Sequence, residues 1–442
     1  MVKRSRKWLA KVTMIVCLMF SVCTTEVYAA PKEYKSVTKS IKQKETKSKI
    51  DKKNKKQEEV VKEESTVEVT PKPESTVEEN QNEEKQEGMD AEKIAKYQAM
   101  SEAEAQWLWS QQMSNGAFAF YNEKNGSVTI NPYFSEIVAI SLINYDATEA
   151  AAEKIKKYMD WHFAHINTAE EDYNGLGGTI YDYNAVVENG IVVSETSKGS
   201  YDSTDSYSAL FVKVLADYVK VYGDTEYIKT KKEQIDTIVN VMFATMAPNG
   251  YTYAKPDYKI IYLMDNTEVY SGLTAAKYLY QNVLEDAFMY EKINNALTHY
   301  NENFNKDWWK GNHYAAVLNS DNSEYTGYAF SWDMFYPCAT AQMYPLLYGL
   351  IAPESEYAKT VYNGICNAWD WQDMDYVEEG VDVFCWGAFA YLGGLMGDED
   401  RFNSYMEKYT AIIDAGRPYP LYSAEAAMVL NGCQVIQSKL AR

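Results

Sequence analysis

Histidine, cysteine and long apolar runs are scarce in this 442-residue sequence. It has four histidines and six cysteines, and no two cysteines form a Cys-x-x-Cys pair. His162 and His165 are three residues apart with no further ligand pattern around them, which indicates a helix face more than a zinc site. We therefore expect neither a metal nor a cofactor.

The cysteines divide into two groups. Cys17 and Cys23 lie in the first 23 residues, whereas the other four are widely spaced within helical patterns: Cys338, Cys366, Cys385 and Cys433. Export from the cell would permit disulfides, but a domain of this size does not need them. The sequence therefore leaves both free thiols and disulfides open.

An apolar run from Val12 to Val22 follows a basic start, and small residues follow at Val27-Tyr28-Ala29. The run is too short to span a bilayer comfortably. Basic start, apolar middle and small cleavage residues are typical of a secretory signal peptide. We predict that residues 1–29 are removed on export, which leaves a secreted or cell-surface-associated protein with no stable membrane insertion.

Residues 30–90 are rich in Lys, Glu, Ser, Thr and Val and almost free of aromatics. Such a segment cannot bury enough apolar surface to offset the entropy of ordering, so we predict a disordered linker. It is either a spacer that carries the domain near a cell wall or a solvating segment with no specific contact. The folded, monomeric domain is then expected over residues 91–442.

Negative charge dominates the composition. Asp and Glu number 63 against 43 Lys and Arg, for a formal charge of −20. Removal of the leader would bring the remaining charge to about −24. Such a domain repels nucleic acid, uronate polymers and teichoic acids, which favours neutral or amine-bearing glycans as its partner.

Helical periodicity runs through the predicted domain. It predicts twelve helices in six hairpins, with tight connections alternating with long loops. Antiparallel hairpins repeated six times can close into an all-α, (α/α)6 toroid whose long loops share one face. Turn pairs such as Asn125-Gly126 and Asn189-Gly190 predict short β-hairpins within those loops. An open helical solenoid is the rival architecture, for which more regular repeats are expected.

Carboxylates recur near the first turn of the helix that follows a long loop. A closed ring would gather them at one mouth: Glu136, Asp202, Asp205, Asp265, Glu268 and Asp333. Each one alone could be an ordinary helix N-cap, and Asp202 and Asp265 fit that interpretation best. Apolar neighbours around Glu136 and Asp333 should raise their carboxyl pKa, as a glycosidic leaving group requires of its acid.

Aromatic residues accompany these acids, which suits the binding of sugar rings. Pyranose CH groups pack well on aromatic faces, and tyrosine hydroxyls can satisfy sugar hydroxyls. Together with Asp265 and Glu268, the predicted substrate-binding residues are Tyr133, Tyr201, Tyr207, Trp332 and Trp386.

The order of three short motifs resembles glycoside hydrolase family 8 of the six-hairpin glycosidases. They are Ser135-Glu136, the segment Asp202-Ser203-Thr204-Asp205, and Trp332-Asp333. The resemblance implies an inverting, endo-acting hydrolase. Glu136 would be the proton donor, Asp202 or Asp205 would hold the sugar ring, and Asp333 would be the base. Ile137 replaces the family's glycine, the Asp-Ala-Asp triplet is absent and no Arg follows Asp333, so the relationship is distant.

Three alternatives stay open at this stage. Other six-hairpin enzymes, such as unsaturated uronyl hydrolases, use paired Asp residues, which would place the centre at Asp202 or Asp205 with Asp265. A non-catalytic carbohydrate-binding protein could use the same scaffold. An epimerase or lyase is the third, which the acidity and the few histidines disfavour.

Overall fold

The computed structural model describes residues 76–441. The predicted signal peptide and the larger part of the predicted linker lie outside the described residues. The first helix begins at Thr76, upstream of the expected domain boundary at Ala91. The compact unit comprises Glu83–Arg442. Across residues 76–441, no helix has the combined length and apolar character needed to cross a bilayer.

Helices dominate the described part of the chain, and they alternate between an inner and an outer layer. The inner helices are α2 (Pro132–Tyr145), α4 (Thr204–Tyr222), α7 (Leu263–Asn282), α9 (Tyr344–Leu347), α12 (Ala388–Met396) and α14 (Ser423–Leu440). The outer helices are α1 (Thr76–Ser110), α3 (Glu149–His165), α6 (Lys232–Ala244), α8 (Ala287–Trp308), α10 (Glu356–Ala368) and α13 (Glu399–Asp414). Two short helices, α5 (Thr225–Thr230) and α11 (Asp375–Glu378), lie in connections.

The inner helices form a closed ring. Each packs against the next in the order α2, α4, α7, α9, α12 and α14, and α14 packs against α2. A solenoid would leave its first and last helices apart, so the predicted (α/α)6 toroid is confirmed. A buried ion pair supports the closure: Arg417, just before α14, donates to both carboxylate oxygens of Glu104 on α1, at 2.7 and 2.6 Å.

The inner helices α4 and α7 approach each other unusually closely. A Cβ atom on Gly272 of α7 would lie 2.5 Å from Cα of Ala209 on α4. Both residues are buried. Only glycine fits at this crossing, so the small residues bring the two helix backbones together.

One of the twelve helices expected from the periodicity covers residues 333–350, and this prediction is wrong in detail. The chain instead forms one π-helical turn at Phe335–Ala339 and the four-residue helix α9. Pro337 and Pro345 lie inside the segment, and proline removes a helical hydrogen-bond donor. Tyr336 has extended backbone angles (φ −112°, ψ 133°), because a residue that precedes proline avoids the helical region.

Short strands occupy the long loops. Strands β1 (Gly126–Ile130), β2 (Tyr183–Glu188) and β3 (Ile191–Ser197) form an antiparallel sheet in that order. Asn189-Gly190 makes the predicted hairpin turn, with both residues at positive φ. Asn125-Gly126 does not, since β1 pairs with β2 from another loop. Strands β4 (Ile261–Tyr262) and β5 (Val317–Leu318) form a second pair.

The four cysteines of the described domain are free thiols: Cys338, Cys366, Cys385 and Cys433. Three of them are buried. The core of the domain therefore packs without covalent cross-links between the described residues.

Replacing Gly272 by valine should destabilise the ring, because its side chain would meet the backbone of Ala209. We expect a loss of about 1–3 kcal/mol in the free energy of unfolding, as for other overpacked cores. Chemical denaturation of the full chain measures it. Thr274→Val, on an exposed position of the same helix, is the matched control. An equal effect of both substitutions would contradict the close-approach argument.

Candidate functional site

Three side chains mark the mouth of the ring on the long-loop face: Asp202, Asp265 and Tyr336. Asp202 is exposed, Asp265 is half-buried and Tyr336 is 49% exposed. Burial nevertheless raises the pKa of all three groups, and the charges of both aspartates add to the shift at Tyr336. Solvent reaches these side chains while protein surrounds them on most sides, which is the environment of a concave mouth.

Asp265 has the properties of an acid that works near neutral pH. Burial, reinforced by the charge of Asp202, raises its carboxyl pKa to about 7. Its Oδ2 accepts a 2.6 Å hydrogen bond from Ser203 Oγ, which links α7 to the start of α4. The N-caps of these helices are Ser203 and Tyr262, so the interpretation of Asp202 and Asp265 as caps is wrong.

Asp205 lies beneath this pair and is fully buried. Its Oδ2 accepts a hydrogen bond from Thr252 Oγ1 at 2.6 Å, and its Oδ1 accepts one from the backbone N–H of Ser206 at 2.9 Å. Burial raises its pKa well above the usual range, and the charge of Asp265 adds to the shift. Asp205 therefore supports the mouth from inside the protein, without contact with solvent.

Glu268 follows Asp265 by one helical turn and is also buried. Its Oε1 accepts a 2.6 Å hydrogen bond from the hydroxyl of Tyr133 on α2. Burial and the charge of Asp265 raise its pKa well above the usual range. Tyr133 stacks on Tyr207, with ring centroids 5.7 Å apart, so both predicted tyrosines brace the floor of the mouth.

Further acids at this face escaped the sequence analysis. Asp182 accepts a hydrogen bond from Tyr207 at 3.2 Å, and burial raises its pKa to about 6. Asp382 accepts one from Nε1 of Trp386 at 3.1 Å and contributes to the field at Tyr336. These two acids lie in loops, where a search of helix starts cannot find them.

Glu425 was missed although it occupies the first turn of α14. Burial raises its pKa to about 7, and its carboxyl group accepts a hydrogen bond from the backbone N–H of Gly387. That bond holds the chain next to Trp386. A search for carboxylates in the first turn of every inner helix, including α14, would have found Glu425.

Positive charge is sparse around these acids. Lys255 lowers the pKa of Asp202, against the larger effect of burial, and its Nζ lies 3.4 Å from the carbonyl oxygen of Tyr201. Lys198 acts similarly on Asp182. The mouth is therefore acidic, with individual lysines at its edge.

Among residues 76–441, no group of His, Cys, Asp and Glu is arranged to hold a metal ion.

Glu136 has no solvent-accessible surface, although the charge of buried Glu268 acts on its carboxyl group. Its carboxyl group is fully buried and faces Nδ1 of His162 on the outer helix α3, at 3.4 Å. The imidazole stacks on Phe211, with centroids 3.4 Å apart. Neither carboxylate oxygen has a hydrogen-bond partner within the described residues. Burial raises the pKa of Glu136, as its apolar neighbours indicated, and lowers the pKa of His162, so burial favours the uncharged form of each group.

Asp333 and Trp332 do not join the acids either. Asp333 is exposed and, with Trp332, lines a groove of about 470 Å³ against the outer helix α10. The indole of Trp332 lies over Gly364 of that helix. The break in the inner helix explains this position, because the chain enters the ring only after Met334.

Some aromatic residues at the mouth are buried beneath others, and some are exposed to solvent. Tyr201 is 2% exposed and lies beneath Tyr173, which is 46% exposed, with centroids 5.0 Å apart. Trp386 is half-buried next to Tyr336, with centroids 5.8 Å apart. Exposed rings therefore flank the acids, although Tyr201 itself is covered.

A cavity of about 560 Å³ lies at the other end of the ring, near the C-terminal ends of α2, α4 and α14. Its lining includes Lys213, Asp217, Lys220 and Tyr348, and none of the mouth acids. Asp217 lies within ion-pair distance of both lysines, which neutralises much of the local charge. We place the candidate site at the mouth because the acids with raised pKa values converge there.

Comparison with known proteins supports the architecture. No protein-family model matches the chain, and no curated protein matches it. A solved wild-type glycosidase is similar, with a TM-score of 0.53 and 11% identity over 78% of this chain and 97% of that one. A glycosidase variant in complex with glucose gives a TM-score of 0.51 and 10% identity with the same coverage. At these identities the likeness shows the fold.

Glu136→Gln should become more stable than the wild type as pH rises from 5 to 8. The unfolded chain ionises Glu136 above its ordinary pKa of about 4.3, whereas the folded chain keeps the proton because burial raises that pKa. Folding must then take up a proton, which costs at most about 1.4 kcal/mol per pH unit. The glutamine does not titrate and places an amide of nearly the same size beside His162.

Chemical denaturation at several pH values measures the difference between the two proteins. Glu104→Gln is the matched control, since Glu104 is a buried glutamate in an ion pair with Arg417 and should be destabilised throughout. A stability difference for Glu136→Gln that does not change with pH would contradict a buried neutral carboxyl.

Proposed function

We propose that this protein is a glycoside hydrolase in which Asp265 donates the proton and Asp202 is the base. The observation that carries the proposal is the raised pKa of Asp265, about 7, next to a second and more exposed carboxylate at an open mouth. Paired carboxylates with different environments are what acid and base roles require.

The chemistry needs no group beyond these side chains and water. Protonated Asp265 gives its proton to the glycosidic oxygen as the bond from that oxygen to the anomeric carbon breaks. A water next to Asp202 forms the new bond to the anomeric carbon and passes its proton to the carboxylate. We propose the inverting outcome, in which Asp202 activates this water and forms no bond to the sugar itself. Ser203 and Glu268 would orient and tune Asp265.

The surroundings of the acids favour a neutral or amine-bearing polysaccharide. An acidic mouth edged by Lys255 and Lys198 repels uronate chains. The exposed rings of Tyr173, beside Tyr201, and of Tyr336, beside Trp386, offer two separate aromatic surfaces, which suits a polymer of several sugar rings and hence endo action. Export through the predicted signal peptide belongs to the same proposal.

This assignment differs from the one that the family resemblance implied. Glu136 is enclosed against α3 and Asp333 lies in a separate groove, so we propose neither for the reaction. We favour the paired-Asp arrangement that the sequence left as an alternative, because the charge of Asp202 acts on Asp265 and solvent reaches both carboxyl groups. Its usual uronate substrate, however, does not suit the charge of this mouth.

Asp265→Asn and Asp202→Asn should each lower turnover by roughly 10²- to 10⁴-fold, the usual contribution of a general acid or base. The assay is reducing-end release by the full chain from neutral and amino-sugar polysaccharides. Asp333→Asn discriminates between the two assignments and should retain most of the turnover. If only Asp333→Asn were inactive, the base would be Asp333; if the wild type cleaved no polymer, a binding protein would be the better interpretation.

The pH dependence of kcat/KM should fall above about pH 7. Asp265 must be protonated to act as the acid, and it loses the proton as pH rises through its pKa of about 7. Initial rates between pH 4 and 9, on the polymer found above, measure this limb. A profile that stays flat to pH 9 would contradict the role of Asp265. The anomer formed first, observed by NMR, tests the inverting outcome.

A further inference from the structure

We propose that the groove around Trp332 is a second carbohydrate-binding site, which holds a sugar chain outside the mouth. The groove lies between the loop before the broken inner helix and the outer face of α10. Its volume is about 470 Å³. It shares none of its lining with the acids at the mouth.

The indole of Trp332 packs directly against the backbone of α10 at Gly364. Gly364 provides the room, because a Cβ atom at that position would collide with Cζ2 and Cη2 of the ring. The backbone is fixed as well, since the carbonyl oxygen of Trp332 accepts a 2.8 Å hydrogen bond from Nε1 of Trp369. Phe330 meets the ring edge to face, with centroids 4.9 Å apart. The ring is therefore held in place while remaining partly open to solvent.

Polar groups surround the ring in the pattern that sugar hydroxyls need. Thr360, Asn363 and Asn367 occupy one face of α10 at helical spacing, and Asn312 and Asp333 complete the rim. Over residues 90–441, the structure shows no hydrogen bond or ion pair to the side chains of Asn363 and Asn367, to the carboxylate of Asp333 or to Nε1 of Trp332. Amides both donate and accept hydrogen bonds, as sugar hydroxyls do.

Exposed amides on an outer helix are ordinary when they stand alone. What distinguishes this groove is the indole laid across a glycine in the middle of them. Aromatic faces pack against pyranose CH groups while the surrounding amides bond the hydroxyls. The formal charge of the rim comes from Asp333 alone, which suits a neutral chain.

The inference rests on the proposed function only in choosing polysaccharide as the ligand. A second site would keep a polymer attached while the mouth releases a product. Two linked sites on one chain raise the effective concentration of the polymer at each. The groove and the acids can therefore fail separately in experiments.

The test is affinity gel electrophoresis of the full chain carrying Asp265→Asn, so that the polymer in the gel is not degraded. The probes are mixed-linkage β-glucan, xylan, galactomannan and glycol chitosan. Trp332→Ala should weaken retention roughly 3- to 10-fold, the range expected for losing one aromatic contact. Gly364→Ala should also weaken it, because the added methyl group displaces the indole while the tryptophan is kept.

Phe288→Ala is the matched control, since Phe288 is 78% exposed on α8 and lies outside both sites. Unchanged retention in Trp332→Ala, or an equal loss in Phe288→Ala, would overturn the proposal. So would loss in Tyr336→Ala alone, which would place all binding at the mouth. If no polymer retards the parent chain, the second site is refuted, while polymer cleavage by the wild type would still support the proposed function.

Discussion

The close approach of α4 and α7 is the constraint on which the acid cluster depends. With glycine at position 272, the two inner helices meet at backbone distance. Their first turns then lie side by side, which puts Asp202 and Asp205 next to Asp265 and Glu268. Carboxylates brought together away from bulk water favour their protonated forms. The packing of two small residues thus gives the mouth its acid chemistry.

Burying these carboxyl groups lowers the stability of the folded protein. Burial raises the pKa values of Asp205, Glu268 and Glu136 well above the usual range, which favours the uptake of protons on folding. The unfolded chain would ionise all of them, and each proton taken up costs stability as pH rises. Functional sites commonly keep such groups despite the cost. At Glu136 the same cost arises without access to substrate, for which the structure gives no catalytic reason.

The sequence was sufficient for the architecture, because hairpin length and loop alternation depend on local patterns. It also indicated Asp202 and Asp265 as members of the mouth, through their place at helix starts. The sequence did not predict the positions of Glu136 and Asp333, because long-range packing determines them. The rotation of α2 turns Glu136 toward His162, although its apolar neighbours correctly indicated burial. The sequence shows Pro337 and Pro345, which interrupt the expected inner helix. It does not show that the chain then runs outside the ring at Asp333, because that depends on the path of the whole segment.

Titration of Asp265 in the full chain tests its role as the catalytic acid most directly. Infrared difference spectra between the wild type and Asp265→Asn, recorded from pH 4 to 9, follow the protonated carboxyl band of this one residue. We predict a carboxyl group that loses its proton near pH 7. Ionisation near pH 4, as for an aspartate in water, would show that the mouth does not hold a proton for catalysis and would contradict the central claim.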